Sequence, residues 1–413
     1  ESGSTKFATG AEWLAAVAGQ DADFVENFFE TNSADIALED ADGLPSEKRF
    51  WQEYGINVNG DISGASFNLD VDTITNSFMD EDSAFGYSEG DSDNLAMDSA
   101  LLTVEYGDFT ALAGDHAGVT VAPYFVDDED LEGLALVTDQ FGWGWTFLVA
   151  SLDDQVDDDI YGFTADKEMD FGTVTGRLYQ VRETGDDTTV AAAEVADVMV
   201  SDVVTMGGTV AFSDAADSDV MFNVNGEFAA TDELTVDAMF ETVGEDFTAY
   251  KGDLTEDNDY NKFNVGASYV LNENNTVTGD YTLVQPESNG TEDESTVEVA
   301  LDNVYGDFTN TASLSYTMND GYDEDATDRV LELGTEYAWT EMTTLGASFV
   351  NVAQEDASEN NVISYNYLAG DMSMELSDAM TWTTEAKYIM GEVDASETEG
   401  EGSTLKTSLS VSF

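Results

Sequence analysis

Along the second half of the chain, apolar and polar residues alternate with a period of two. "YNKFNVGASYVL" sets Phe263, Val265, Ala267 and Tyr269 against Lys262, Asn264, Gly266 and Ser268. "NTVTGDYTLV" sets Val277, Gly279, Tyr281 and Leu283 against Thr276, Thr278, Asp280 and Thr282. "DFTNTASLSYTM" and "DVMFNVNGEF" repeat the pattern with Leu314 and Tyr316, and with Phe222 and Val224, on the apolar side. Successive side chains of a strand point to opposite faces, so each stretch predicts a strand of about ten residues with one apolar and one polar face. Twenty-one such candidates follow Arg49, and "SADIALED" (33–40) makes a twenty-second.

The connections alternate in kind. Some are short, such as 106–109, 231–233, 272–275, 305–308, 339–341 and 376–379; others are longer and acidic, at 76–94, 117–130, 183–193, 244–258, 285–294, 319–327, 353–361 and 391–402. Short turns on one side and long loops on the other predict an all-β, antiparallel up-and-down transmembrane barrel. Its strand number should be even, between 18 and 22, with 22 the best count. No stretch approaches the roughly 18 consecutive apolar residues of a spanning helix, so a bilayer crossing has to be made by a closed barrel. Only three prolines interrupt the chain, none in a predicted strand. Residues 1–32 differ. "GAEWLAAVAGQDADFVENFFE" (10–30) places Trp13, Leu14, Val17, Phe24 and Phe28 at helical spacing, which predicts a helical segment lying in the periplasm or plugging the barrel of residues 33–413.

Charge changes the picture. The chain has 413 residues with 88 acidic and 11 basic side chains, a formal charge of −77. At 42% hydrophobic content it is too apolar for a disordered acidic chain. Nucleic acid is excluded as a natural partner, because phosphate binding needs clustered Lys and Arg. Solvation in high salt and attraction of cations both remain open. There are no cysteines, hence no disulfides or thiolate sites. The sequence begins at Glu1 without a methionine, which leads to the expectation of a removed leader.

The polar parity is small-sided (Thr, Ser, Gly, Asn) and carries carboxylates, which suits a water-filled lumen with the apolar parity facing lipid. That parity points Asp70, Asp72, Asp237, Glu241, Asp280, Glu298, Asp302, Glu332, Glu336 and Glu385 inward. Rings of acids concentrate cations and repel anions, so the expectation is a cation-preferring channel for ions and small hydrophilic solutes. Aromatic residues gather beside short turns (Tyr106, Phe109, Tyr305, Phe308, Tyr337, Trp339, Trp382), as in the girdles of membrane barrels. Asp80, Glu81 and Asp82, and "DDQVDDD" (153–159), offer oxygens for Ca²⁺, but neither has the spacing of a dedicated calcium loop; weak exchangeable binding is expected. His116 is the sole histidine, and phosphate-cradling and His-based metal motifs are absent. No enzyme activity and no cofactor are expected. A non-channel structural or adhesive cell-surface β-protein, S-layer-like, is the alternative.

The terminal "STLKTSLSVSF" resembles the C-terminal recognition strand of outer-membrane β-barrels, with Phe413 last and Val411 and Leu409 at alternate positions before it. "FWQEYGINVNGDISGASFNLDVDT" (50–73) resembles an early hairpin of general porins and of S-layer-homology porins, and "YGDFTALAGDH" (106–116) is similar to a short turn and strand of that family. The resemblance covers about residues 33–413. It implies a bacterial outer-membrane location, a homotrimer, and recognition of Phe413, Val411 and Leu409 by the barrel-assembly machinery. It also implies that the third long loop, 117–130, folds into the channel, with Asp127, Asp128, Glu129 and Asp130 at the constriction. Read from its residues alone, that loop is equally an exposed acidic loop. The chain departs from the family in having only four arginines (Arg49, Arg177, Arg182, Arg329), too few for a full arginine ladder opposite the loop. Its acidity fits a salt-loving organism.

Overall fold

A computed structural model describes residues 52–411, except for 76–95, 128, 153–154, 183–186, 216, 252–253, 255–258, 288–291, 321–325, 356–360, 378–379 and 394–397. The predicted helix within 1–32, the candidate strand 33–40, the candidate calcium residues Asp80, Glu81 and Asp82, and Phe413 lie outside the described residues.

Twenty-one strands follow one another. They are β1 (Gln52–Ile62), β2 (Ala65–Thr75), β3 (Ala96–Tyr106), β4 (Phe109–Val119), β5 (Glu129–Gln140), β6 (Trp143–Leu152) and β7 (Gln155–Met169). Next come β8 (Gly172–Arg182), β9 (Asp187–Ser201), β10 (Val204–Asp214), β11 (Ser218–Ala229), β12 (Leu234–Val243), β13 (Tyr260–Asn272) and β14 (Asn275–Pro286). The last third holds β15 (Glu294–Tyr305), β16 (Phe308–Met318), β17 (Thr327–Thr340), β18 (Thr343–Glu355), β19 (Asn361–Ser377), β20 (Met380–Val393) and β21 (Thr398–Val411). Each strand pairs antiparallel with the next, from β1–β2 through β20–β21. This is a single up-and-down meander. Among the described residues no ladder joins β21 to β1. Both of these strands run toward the short-turn end.

Several loops are shorter than the sequence suggests. Residues 187–193 belong to β9, and 398–402 belong to β21, which extends N-terminally beyond "STLKTSLSVSF". Thr188, Val190 and Ala192 share the inner parity of β9 and pack inward, so its start behaves as a strand despite the polar residues beside it. β17 likewise runs through Trp339 to Thr340, taking in the first two residues of the predicted turn 339–341.

The two faces separate as the alternation demands. On the outer face, large apolar side chains stay exposed in consecutive register. Val297, Val299 and Leu301 of β15 lie beside Leu314 of β16, and Phe222 and Val220 of β11 lie beside Val210 and Phe212 of β10. Such a continuous exposed apolar surface is out of place in water and suits a lipid surround. Aromatic residues edge this face at the short turns. Phe308 stacks on Tyr337 with centroids 4.4 Å apart, Trp143 and Trp145 lie 6.0 Å apart, and the Lys167 ammonium sits 5.2 Å from the Trp143 ring centroid.

Candidate functional site

The inner face is not polar throughout. Toward the long-loop end of β7 to β14, the inward positions Ile160, Tyr179, Val181, Val190, Ala211, Met221, Val243, Tyr260 and Val284 are buried. Two loops cover them. The first, between β4 and β5, inserts Ala122, Tyr124, Phe125 and Val126; the second, between β12 and β13, inserts Phe247. Parity alone predicts a polar lumen at these positions. The correction has a simple cause: the strand positions beneath the loops meet apolar side chains and not water.

Phe125 is fully buried, stacked on Tyr179 (centroids 4.8 Å, planes 15° apart) and tilted against Tyr250 at 6.1 Å. The loop backbones hold each other directly. The Lys251 N–H donates to the Phe125 carbonyl at 2.7 Å, and the Asp127 N–H donates to the Lys251 carbonyl at 2.9 Å. The second loop is tied down in turn by the Thr248 N–H, which donates to the buried Ser213 hydroxyl at 2.9 Å. The Tyr179 hydroxyl donates to the Val121 carbonyl at 3.3 Å. The Arg177 guanidinium, on β8, pairs with Glu194 of β9 and donates to the Tyr124 hydroxyl at 3.4 Å. Burial pushes the Tyr124 phenol up to about 12, while the Arg177 guanidinium pulls it the other way.

Beside this apolar shelf the inner face is acidic. The ladders align Glu227 (β11) with Asp237 (β12), Asp237 with Gly266 (β13), Gly266 with Asp280 (β14) and Asp280 with Glu298 (β15). Four carboxylates thus occupy five adjacent strands in one transverse row. Gly266 is the gap that lets two of them converge: a Cβ there would lie 2.5 Å from Asp237 Oδ1 and 2.7 Å from Asp280 Oδ1. A second row aligns Glu336 (β17), Gly346 (β18), Asp371 (β19) and Glu385 (β20), with the Lys387 ammonium 2.7 Å from Glu385. A recess of about 530 Å³ beside the first row is lined by Glu194, Thr205, Asn225, Glu227, Asp237 and Met239, among others.

The site residues expected from sequence are distributed as follows. Asp237, Asp280 and Glu298 come together in the first row, and Glu336 joins the second. Asp302 faces Thr276 and Thr311 in register, and Glu332 accepts from the Ser313 hydroxyl at 3.5 Å. Glu241 is nearly buried under the second loop, accepting from Tyr260 at 2.9 Å and Asn223 at 3.0 Å. At the foot of the first loop, Asp127 accepts from Thr120 at 2.7 Å and Asp130 from the Gly118 N–H at 2.8 Å; Glu129 opens β5, and Asp128 lies outside the described residues. Leu409 and Val411 end β21. Sequence alone does not single out Glu227, Asp371 or Glu194, and it offers Arg177 only as one of four arginines. Only the strand register shows what they sit beside.

No known protein-family model matches the chain, and no curated protein is similar to it in sequence. Solved structures do match. One described as the ferric enterobactin receptor (PfeA) in complex with BCV-L6 has a TM-score of 0.55 at 9% identity, over 88% of this chain and 78% of that one. Acinetobacter baumannii OccAB3 has a TM-score of 0.40 at 11% identity, over 88% and 92%. Pseudomonas aeruginosa OprD has a TM-score of 0.39 at 10% identity, over 87% and 90%. At these identities the first likeness speaks for the fold, and the fold of this chain is that of an antiparallel up-and-down β-barrel.

Proposed function

We propose that the protein is a porin of a bacterial outer membrane, forming a water-filled channel that prefers cations. The observation that carries this reading is the transverse row Glu227–Asp237–Asp280–Glu298 on the inner face of a meander whose outer face exposes apolar side chains. Like charges directly opposite one another on neighbouring strands are unfavourable. At roughly 5 Å in a watery channel each such pair costs about 0.8 kcal/mol. Mobile cations relieve that cost, and the row in turn raises their local concentration. The two inward loops narrow one side of the channel, with Asp127 to Asp130 at the foot of the first. By the same reading, the porin assembles as a homotrimer, and Phe413, Val411 and Leu409 are read by the barrel-assembly machinery. The excess acidity beyond the rows keeps the surface hydrated in high salt. An adhesive surface protein built of sandwich repeats is disfavoured, because the described strands form one continuous meander and not Greek-key sandwiches.

Swelling of liposomes carrying the purified protein tests the reading with solutes of similar size. Neutral arabinose and cationic glucosamine should enter, the amine faster, and anionic gluconate should lag. Equal rates for the charged solutes would remove the cation preference, and no swelling at all would remove the channel.

A further inference from the structure

The outer face carries a feature that solute passage does not use. One rung from the short-turn end, the apolar pattern gives way to a row of amides: Asn275 (β14), Asn303 (β15) and Asn310 (β16), continued by Thr335 (β17). They form one directional chain of hydrogen bonds. The Thr335 hydroxyl donates to Asn310 at 2.8 Å, Asn310 to Asn303 at 3.0 Å, Asn303 to Asn275 at 2.7 Å, and Asn275 to Asn272 at 2.8 Å. The row lies on the same parity as exposed Leu301 and Leu333 on one side and exposed Tyr305 and Phe308 on the other. It therefore separates the apolar band from the aromatic edge, and it carries no charge.

Each asparagine amide has two N–H donors, and the chain uses one of them. Asn275, Asn303 and Asn310 are half-buried, and their second N–H finds no protein acceptor among the described residues. That leaves three donors on adjacent strands, about 4.8 Å apart, at the level where a membrane passes from hydrocarbon to headgroup. We infer that this amide ladder is a phospholipid-binding belt. It donates to the ester-carbonyl and phosphate oxygens of the leaflet on the short-turn side, and it sets the depth of the barrel. The chemistry fits acceptor-rich, uncharged-to-anionic oxygens next to acyl chains. A second copy of the chain fits less well, since the rungs above the ladder are uniformly apolar and exposed: Val299 and Leu314, then Val297 and Tyr316. The inference rests on the membrane-barrel reading above.

The absence of native cysteine makes single-cysteine spin labels clean. Labels at Leu333 and Thr335, placed separately in phosphatidylethanolamine–phosphatidylglycerol nanodiscs, report depth by oxygen and nickel-chelate collision. Leu333 should read hydrocarbon and Thr335 the ester–phosphate layer. Thr335 reading hydrocarbon or bulk water, with Leu333 in hydrocarbon, would overturn the belt alone. Leu333 reading water would overturn the membrane reading itself. In parallel, the Asn303→Leu/Asn310→Leu pair should lose several-fold in phospholipid retained through native mass spectrometry, at unchanged subunit number. Unchanged lipid retention, or a changed subunit number with lipid retained, counts against the belt. If the pair does not assemble, the two label depths still decide.

Discussion

Replacing Phe125 with alanine should unpin the first inward loop without disturbing the barrel wall. Phe125 is wholly enclosed between Tyr179 of the wall and Tyr250 of the second loop. Truncating a buried phenylalanine costs about 3–5 kcal/mol, and none of that loss falls on the strand ladders. At about 1.4 kcal/mol per decade, the ratio of pinned to unpinned loop falls by a factor of about 140 to about 3,700. The remaining direct ties are the two backbone bonds to Lys251, the Tyr179–Val121 bond and the Tyr124–Arg177 contact, worth about 1 kcal/mol each. Single-channel recording is the assay. The wild type should hold one steady open level, and Phe125→Ala should flicker toward a larger one. Limited proteolysis should cut within 120–128 in the variant only. Phe125→Leu keeps the apolar burial without the ring stack and should fall between. A Phe125→Ala channel with wild-type conductance, wild-type noise and an uncut loop would refute the idea that this contact holds the loop.

Neutralising the first acid row (Glu227→Gln, Asp237→Asn, Asp280→Asn, Glu298→Gln together) removes about 0.5 kcal/mol of attraction per charge at about 8 Å. With screening at 0.1 M salt the cation-to-anion permeability ratio should drop about tenfold, and the drop should shrink at 1 M; bi-ionic potentials read both. Gly114→Ala should impair assembly, since φ is +124° and a Cβ would lie 1.9 Å from the Ala100 carbonyl oxygen; loss of the heat-resistant folded band on gels is the readout. Alkali should loosen the first loop. The folded phenol of Tyr124 is raised above its unfolded value, so the unfolded or released loop ionises first. The contact is at full strength below pH ~10 and weakens as pH climbs toward ~12, by up to roughly 3 kcal/mol. Tyr124→Phe should weaken that pH dependence of channel flicker.

Strand rhythm was legible because the period-2 signal needs no partner. Every residue placed opposite another in "YNKFNVGASYVL" keeps its face in β13, and the turn between Tyr106 and Phe109 falls where the sequence puts it. The inward carboxylates were legible by parity, but their grouping was not. Asp237 and Asp280 meet over Gly266 only once the β12–β13 and β13–β14 registers are set. The second inward loop was hidden for another reason. Its Phe247 and Tyr250 sit in an acidic stretch that reads as solvent-exposed, and its partner, the Phe125–Val126 segment, is more than a hundred residues away. The amide ladder was hidden in the same way, since single asparagines near turns are ordinary and only the cross-strand alignment makes them a row.

The most direct test of the central claim is the zero-current potential of the purified protein in a planar bilayer under a KCl gradient. The account predicts a conducting channel whose potential shifts toward the potassium equilibrium value and returns toward zero in the neutralised acid-row variant. A shift toward the chloride value, or a potential unmoved by removing Glu227, Asp237, Asp280 and Glu298, would contradict it.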